Sequence, residues 1–178
     1  MAEPGLLLIR GLGHSGSTIL DLALGSHPQL IGLGEAVRVL ERPRRGEEHK
    51  GPRQLRGNLR FERRCTCGEL AGDCPVWGPL LAWLPAHDDR PLAEKLNRLI
   101  EPLTATSPRW LVESFQADEQ LLEAQSLGRP VRVIQLTRDV RSWVHSESRR
   151  GVARHRRGGT VGWRSMLRWW RINRRWEQ

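Results

Sequence analysis

The segment Gly11-Leu12-Gly13-His14-Ser15-Gly16-Ser17-Thr18 has glycine at its first, third and sixth positions and two hydroxyl residues at its end. This is the composition of an anion cradle. Backbone N–H groups at a helix start and the positive end of the helix dipole converge at one point, and glycine lets the main chain approach a phosphate oxygen. As Gly-x4-Gly-Ser-Thr, the segment reads as a nucleoside-triphosphate loop with Ser17 in place of the lysine that reaches the β and γ phosphates, which argues against ordinary ATP or GTP hydrolysis. As Gly11-x-Gly13-x-x-Gly16, it fits a dinucleotide fingerprint. Glu35, nineteen residues past Gly16, then stands where a ribose-binding acid belongs. A loop for a phosphosulfate is the third reading, and a tight turn without any ligand is the plainest.

A second segment decides for the phosphosulfate. Thr137-Arg138-Asp139-Val140-Arg141-Ser142-Trp143-Val144-His145-Ser146 follows the apolar run Val131 to Leu136, which reads as a buried strand. Arg138 sits at the end of that run, and Ser146 follows eight residues later, about two turns at ~3.6 residues per turn. A guanidinium fork and a hydroxyl can therefore face one anion. Taken alone, Arg138-Asp139 reads equally as a helix cap beside a surface ion pair. Two anion sites in one chain instead fit a ligand with a phosphate group at each end.

The first loop with Ser26-His27-Pro28 downstream, and Leu136 to Arg141 with Ser146 later, resemble the two nucleotide-binding segments of sulfotransferases that use 3′-phosphoadenosine 5′-phosphosulfate. The resemblance covers residues 6–40 and 131–148. It implies that the loop residues Gly13, His14, Ser15, Gly16, Ser17 and Thr18 hold the 5′-phosphosulfate and that Arg138 and Ser146 hold the 3′-phosphate. Cys65-Thr66-Cys67-Gly68, Cys74-Pro75 and Trp77 resemble a cysteine and tryptophan stretch of bacterial members. Glu35, in Leu33-Gly34-Glu35-Ala36-Val37-Arg38, resembles the glutamate that serves as base in tyrosylprotein sulfotransferases, and Arg38 matches a nearby basic position. An exposed Glu stabilised by a helix dipole is the other reading of Glu35.

Two departures stand out. His14 replaces the Lys or Arg of many relatives, so it must be protonated by the bound anion or donate a single hydrogen bond. Glu113-Ser114-Phe115-Gln116 falls where bacterial relatives tend to carry an acidic-Ser-Ser-Lys stretch, and the Lys is absent. Relatives also usually run on well past the length of this chain, so it reads as the N-terminal part of a longer family domain.

The implied activity is transfer of a sulfuryl group from the nucleotide co-substrate to a hydroxyl or amine acceptor, roughly in line, with Glu35 as candidate base and His14 at the reacting group. Such a reaction rests mainly on positioning and charge stabilisation. The acceptor is open among glycan, lipid, tyrosine and small alcohol. An NAD(P)-type dinucleotide-binding protein and a non-catalytic polyanion-binding module are the alternatives.

The chain has 178 residues, 38% hydrophobic and 28% charged, as expected of one globular domain over 1–178. Its formal net charge of +9 comes almost wholly from arginine, since Lys50 and Lys95 are the only lysines. Such a surface attracts nucleotides, acidic glycans and nucleic acid alike, though nothing singles out a specific nucleic acid. No stretch approaches the ~20 apolar residues of a membrane span, and no basic leader precedes the first apolar run, so a cytoplasmic location is expected. Cys65, Cys67 and Cys74 are odd in number, and His87, the nearest later candidate for a fourth zinc ligand, stands at an unremarkable spacing. Packed thiols around the Gly68 turn, beside Trp77, are expected in preference to a metal.

The elements that must position these residues alternate between strand and helix. Apolar runs at 6–9, 30–33, 109–113 and 131–136 read as strands, while 17–25, 75–84, 92–103, 118–126 and the stretch after Asp139 carry helical spacing. Residues 41–64, rich in Arg, Gly and Pro, read as a mobile loop. A last helix over 160–176 places Trp163, Met166, Leu167, Trp170 and Asn173 on one stripe, expected to pack on the sheet. The predicted class is α/β, a three-layer P-loop-like fold with a central parallel sheet flanked by helices.

Overall fold

The computed structural model describes residues 4–43, 45–46, 51–106, 109–115, 118–154 and 161–176. The strands β1 (Gly5–Gly11), β2 (Leu30–Gly32), β3 (Trp110–Glu113) and β4 (Val131–Leu136) form one sheet in the order β2-β3-β1-β4. All three pairings are parallel. The expected α/β architecture is therefore present, and its strand ends all open to the same edge. Parallel strands need crossovers, and the chain supplies helices α1 (Ser17–Gly25), α2 (Val37–Leu40), α3 (Trp77–Trp83), α4 (Leu92–Ile100), α5 (Asp118–Gln125), α6 (Val140–Arg154) and α7 (Val161–Trp176).

The main core lies between the sheet and helices α2 to α5. Leu6 and Leu8 of β1 and Leu111 of β3 meet Val39, Leu40, Leu80, Leu81, Leu96, Leu99, Ile100 and Ala124 there. Burying each of these leucines is worth roughly 1.5–3 kcal/mol. Helix α1 contributes nothing to that cluster and exposes Ile19 and Leu22. It is seated instead by Ser17 and Asp21, both buried, against the strands. The first glycine of the fingerprint serves the sheet: a Cβ on Gly11 would sit 2.5 Å from the Leu136 carbonyl oxygen, so Gly11 permits the close approach of β1 and β4.

The structure departs from the sequence reading at β4 and α7 and adds detail to the 41–64 segment. β4 is a strand as expected but not a buried one, because it forms an edge of the described sheet with Arg132, Val133 and Gln135 exposed. The 41–64 segment, read as a mobile loop, carries two 3-10 helices at Gly51–Arg56 and Asn58–Phe61. Arginines tie it down where apolar residues are scarce: Arg53 pairs with Glu41 at 2.5 Å, and Arg56 pairs with Asp88 and donates to the Glu41 carbonyl at 3.0 Å. Within it, residues 44 and 47–50 lie outside the described residues. On α7, Trp163, Met166 and Trp170 face solvent, while Trp169 and Ile172 are half-buried and Asn173 is buried. Of the expected stripe only Asn173 is buried and Leu167 half-buried, and the inward side of the helix also takes in Trp169, whose Nε1 donates to the Arg138 carbonyl, while Asn173 Oδ1 accepts from Thr137 Oγ1 at 3.4 Å.

Candidate functional site

β1 delivers the glycine-rich segment to the carboxyl edge of the sheet. The Ser15 N–H donates to the Leu12 carbonyl at 3.0 Å and closes the turn. His14 adopts φ 71, the left-handed region that few non-glycine residues visit, and Gly16 follows at φ 103 as the N-cap of α1. Gly16 has no side chain with which to cap the first turn, and no acidic residue stands in that turn. The positive end of the α1 dipole is thus not neutralised by carboxylates of its own first turn.

The second segment is fastened to the first. Arg138 Nη1 donates to the His14 carbonyl at 2.8 Å, and Trp143 Nε1 donates to the Gly13 carbonyl at 2.9 Å. Trp143 is fully buried, and its indole N–H meets the requirement that a buried tryptophan find an acceptor. Asp139 caps α6: its Oδ1 accepts from the Arg141 and Ser142 amides at 3.1 Å, and Arg141 completes an ion pair at 3.3 Å. The cap and ion pair that Arg138-Asp139 was read to supply together are formed by Asp139 with Arg141, which leaves the Arg138 guanidinium directed to the first loop. Helix α7 braces this arrangement. Trp169 Nε1 donates to the Arg138 carbonyl at 3.0 Å, and Asn173 Nδ2 donates to the Trp169 carbonyl at 2.8 Å.

A cleft of about 910 Å3 opens between these segments. Gly13, His14, Gly16, Ser17 and Thr18 line it from the first loop, Arg138 and Ser146 from the second, and Glu35, Arg38 and Phe115 from beyond β2 and β3. Eight of the sequence-derived site residues are thereby gathered at one cavity. Ser15 is not among the lining residues, and its amide is spent on the turn. Glu35 pairs with Arg38 at 3.2 Å, and Arg38 lies 5.0 Å from the centre of the Phe115 ring. His14 Nε2 stands 3.7 Å from Glu147 Oε1, and Glu147 Oε2 stands 3.9 Å from Arg168. Gln116, read as the substitute for an absent lysine, lies outside the described residues.

Sequence reasoning missed the carboxyls behind the cleft. Glu113, at the end of β3, is 0% exposed and accepts the Val37 N–H at 3.2 Å and the Phe115 N–H at 2.8 Å. It thereby holds the segment after Glu35 and the backbone of Phe115 together. Burial pushes its pKa up to about 8 against the pull of those two amides, with the charges of Asp21 and Glu35 adding to the rise. Asp21, also buried, accepts from Ser114 Oγ at 3.0 Å, and burial raises its pKa as well. For Glu113 the sequence offered an acid at the end of an apolar strand, in the Glu113-Ser114 stretch where relatives carry an acidic residue before Ser; for Asp21, within α1, no local pattern marks the contact to Ser114.

A pH dependence follows. The folded chain keeps the Glu113 proton up to about pH 8, whereas the unfolded chain releases it near 4.5. This group's contribution to stability is full below pH 4.5 and is lost progressively as pH rises to about 8, with Asp21 acting in the same direction. Between pH 6 and 8 the loss is on the order of 3 kcal/mol, about 5–10 °C in melting temperature. Glu113→Gln, uncharged throughout, flattens that slope; fluorimetric melting curves of both proteins across the range measure it, and equal slopes would exclude Glu113 as the source.

No family model matches the chain, and no curated protein matches it. Among solved structures it is similar to the sulfotransferase domain of the olefin synthase from Synechococcus PCC 7002, with a TM-score of 0.53 and 18% sequence identity. The match covers 95% of this chain and 61% of that one, so the chain spans 61% of the length of that domain structure. At this identity the likeness is one of fold. Among the described residues no helix is long and apolar enough to cross a membrane.

Proposed function

We propose that this chain is a sulfotransferase-type domain that binds 3′-phosphoadenosine 5′-phosphosulfate and passes its sulfuryl group to a hydroxyl or amine. The observation that carries the reading is the joining of two anion-binding segments at one cleft, through the bond from Arg138 to the His14 carbonyl. A ligand with phosphate at both ends accounts for both segments. The volume lies near the top of the ~300–1,000 Å3 range of small-molecule pockets, as a nucleotide requires. The fold likeness to a sulfotransferase domain agrees with it.

In this reading the amides and hydroxyls of Ser17 and Thr18 hold the 5′-phosphosulfate at the start of α1, and Arg138 and Ser146 hold the 3′-phosphate. Glu35 takes the proton from the acceptor oxygen. That oxygen forms a bond to sulfur while the bond from sulfur to the bridging phosphate oxygen breaks, and 3′,5′-bisphosphoadenosine leaves with the electron pair. Negative charge grows on the leaving oxygen, beside the helix dipole and His14. Arg38 orients Glu35 through their ion pair and brings a cation to a site whose family lysine is missing.

Ligand-induced stabilisation separates this reading from the alternatives. At a hundred times its dissociation constant a specific ligand stabilises by about 2.7 kcal/mol, a rise of roughly 5–10 °C for a domain of this size. Adenosine 3′,5′-bisphosphate is expected to produce that rise and NAD to produce none. The reverse result would make Gly11, Gly13, Gly16 and Glu35 a dinucleotide fingerprint. Binding of any polyanion with a steep salt dependence, and no response to the bisphosphate, would identify a polyanion module.

A further inference from the structure

Outside the cleft, the three cysteines converge. Cys65, Cys67 and Cys74 bring their sulfur atoms within 4.8 Å of one another, and Cys65 and Cys74 stand 3.5 Å apart. The sulfurs of a tetrahedral zinc site are about 3.8 Å apart, the edge of a tetrahedron with ~2.3 Å metal–sulfur bonds. Three thiols gathered to that spacing are a ligand set. We propose that Cys65, Cys67 and Cys74 bind one zinc ion that holds the 62–76 segment together at the start of helix α3.

The backbone around the thiols is built as a knuckle. Gly68 turns the chain at φ 95, its N–H donates to the Cys65 carbonyl at 3.0 Å, and the Cys65 N–H donates to the Glu69 carbonyl at 2.7 Å. This tight turn brings Cys67 back over Cys65, which a C-x-C spacing in an extended strand would not do. The Trp77 N–H, at the start of α3, points at the Cys74 sulfur at 3.5 Å. An N–H directed at sulfur orients a metal-bound thiolate in the manner of the hydrogen bonds that tune other metal ligands. A side chain on Gly78 would collide with the Gly72 carbonyl, so α3 sits close against the segment that carries Cys74.

Burial is graded across the cluster, with Cys74 buried, Cys65 half-buried and Cys67 exposed. Among the described residues no fourth His, Cys, Asp or Glu joins it. The remaining position therefore opens on the Cys67 side, where a water can complete the tetrahedron. Soft thiolates select zinc over the hard cations magnesium and calcium. The ion joins Cys65 and Cys67, on the polar Gly68 turn, to the buried Cys74, which leads directly into α3 and the core residues Leu80 and Leu81, and so contributes to folding free energy. The sequence alone favoured packed thiols without metal; the convergence of all three sulfurs is the observation that sets this proposal against that expectation.

The test uses the full chain, reduced, stripped with chelator and kept free of oxygen. Titration with zinc is expected to load one ion per chain and to raise the melting temperature. Titration with cobalt(II) is expected to give sulfur-to-cobalt charge-transfer absorption and the visible bands of a tetrahedral ion. Cys67→Ser, at an exposed position that the fold tolerates, is expected to lose the charge-transfer intensity by about one third and to weaken zinc binding at least tenfold. Its melting temperature without metal should match that of the parent. Failure of the parent to bind either ion would overturn the proposal, as would binding that Cys67→Ser leaves unchanged. A Cys65–Cys74 disulfide that forms in the parent and accounts for its stability without metal would overturn it too. None of these outcomes depends on sulfuryl transfer, so the zinc site and the proposed activity stand or fall separately.

Discussion

Glu35→Gln is expected to lower the rate of sulfuryl transfer by roughly 10²–10⁴-fold, the usual contribution of a positioned general base, while leaving affinity for adenosine 3′,5′-bisphosphate within about twofold. Glutamine keeps the size of the side chain and can still accept a bond from Arg38, which lies 3.2 Å from Glu35 in the parent. It cannot take a proton. The residue lines the same cleft as Ser17 and Thr18 without belonging to either anion segment, so nucleotide binding has little to lose from the change. Release of the bisphosphate from the phosphosulfate donor, followed against a set of phenols, sugars and alcohols, measures the rate. Calorimetric binding of the bisphosphate measures the affinity. Undiminished turnover would assign the proton to another group, and Glu147, 3.7 Å from His14, is the alternative carboxylate to test.

The parts of this arrangement that were legible in the sequence are those written locally. A strand, a glycine turn and a helix start follow one another over 5–25, and periodicity alone separates β1 from α1. The 131–146 segment is equally local. What stayed hidden depends on contacts between distant residues. The Trp143 indole reaches Gly13 across 130 positions, and Ser114 reaches Asp21 across 93. No local pattern marks either pair. The exposure of β4 follows from strand order, which a list of apolar runs does not contain. On α7 the expected stripe holds at Asn173 and partly at Leu167, while Trp163, Met166 and Trp170 face solvent and Trp169, off the stripe, turns inward to the Arg138 carbonyl. At Trp143 and Ser114 a buried polar group had to find a partner, a demand that a count of apolar positions does not register.

Arg138→Ala is expected to weaken binding of adenosine 3′,5′-bisphosphate by roughly 10–150-fold, the equivalent of about 1.5–3 kcal/mol for hydrogen bonds to a charged group. The same substitution should weaken 5′-AMP binding only a few-fold. The smaller loss has its own cause, because Arg138 also holds the His14 carbonyl at 2.8 Å and so steadies the first loop, which under the proposed function serves both ligands. The ratio of the two losses isolates the 3′-phosphate from that shared tie. Arg138→Lys sharpens the comparison: a lysine can return the charge but not the planar fork that reaches a carbonyl and a phosphate together, so it should recover only part of the bisphosphate affinity. Trp143→Phe removes the second tie between the loops, the indole N–H to Gly13, without touching any phosphate-binding group. It should therefore weaken both ligands equally. If Arg138→Ala does the same, with equal loss for the bisphosphate and the monophosphate, then Arg138 is a strut between the loops, and the 3′-phosphate has no site at this end of the cleft.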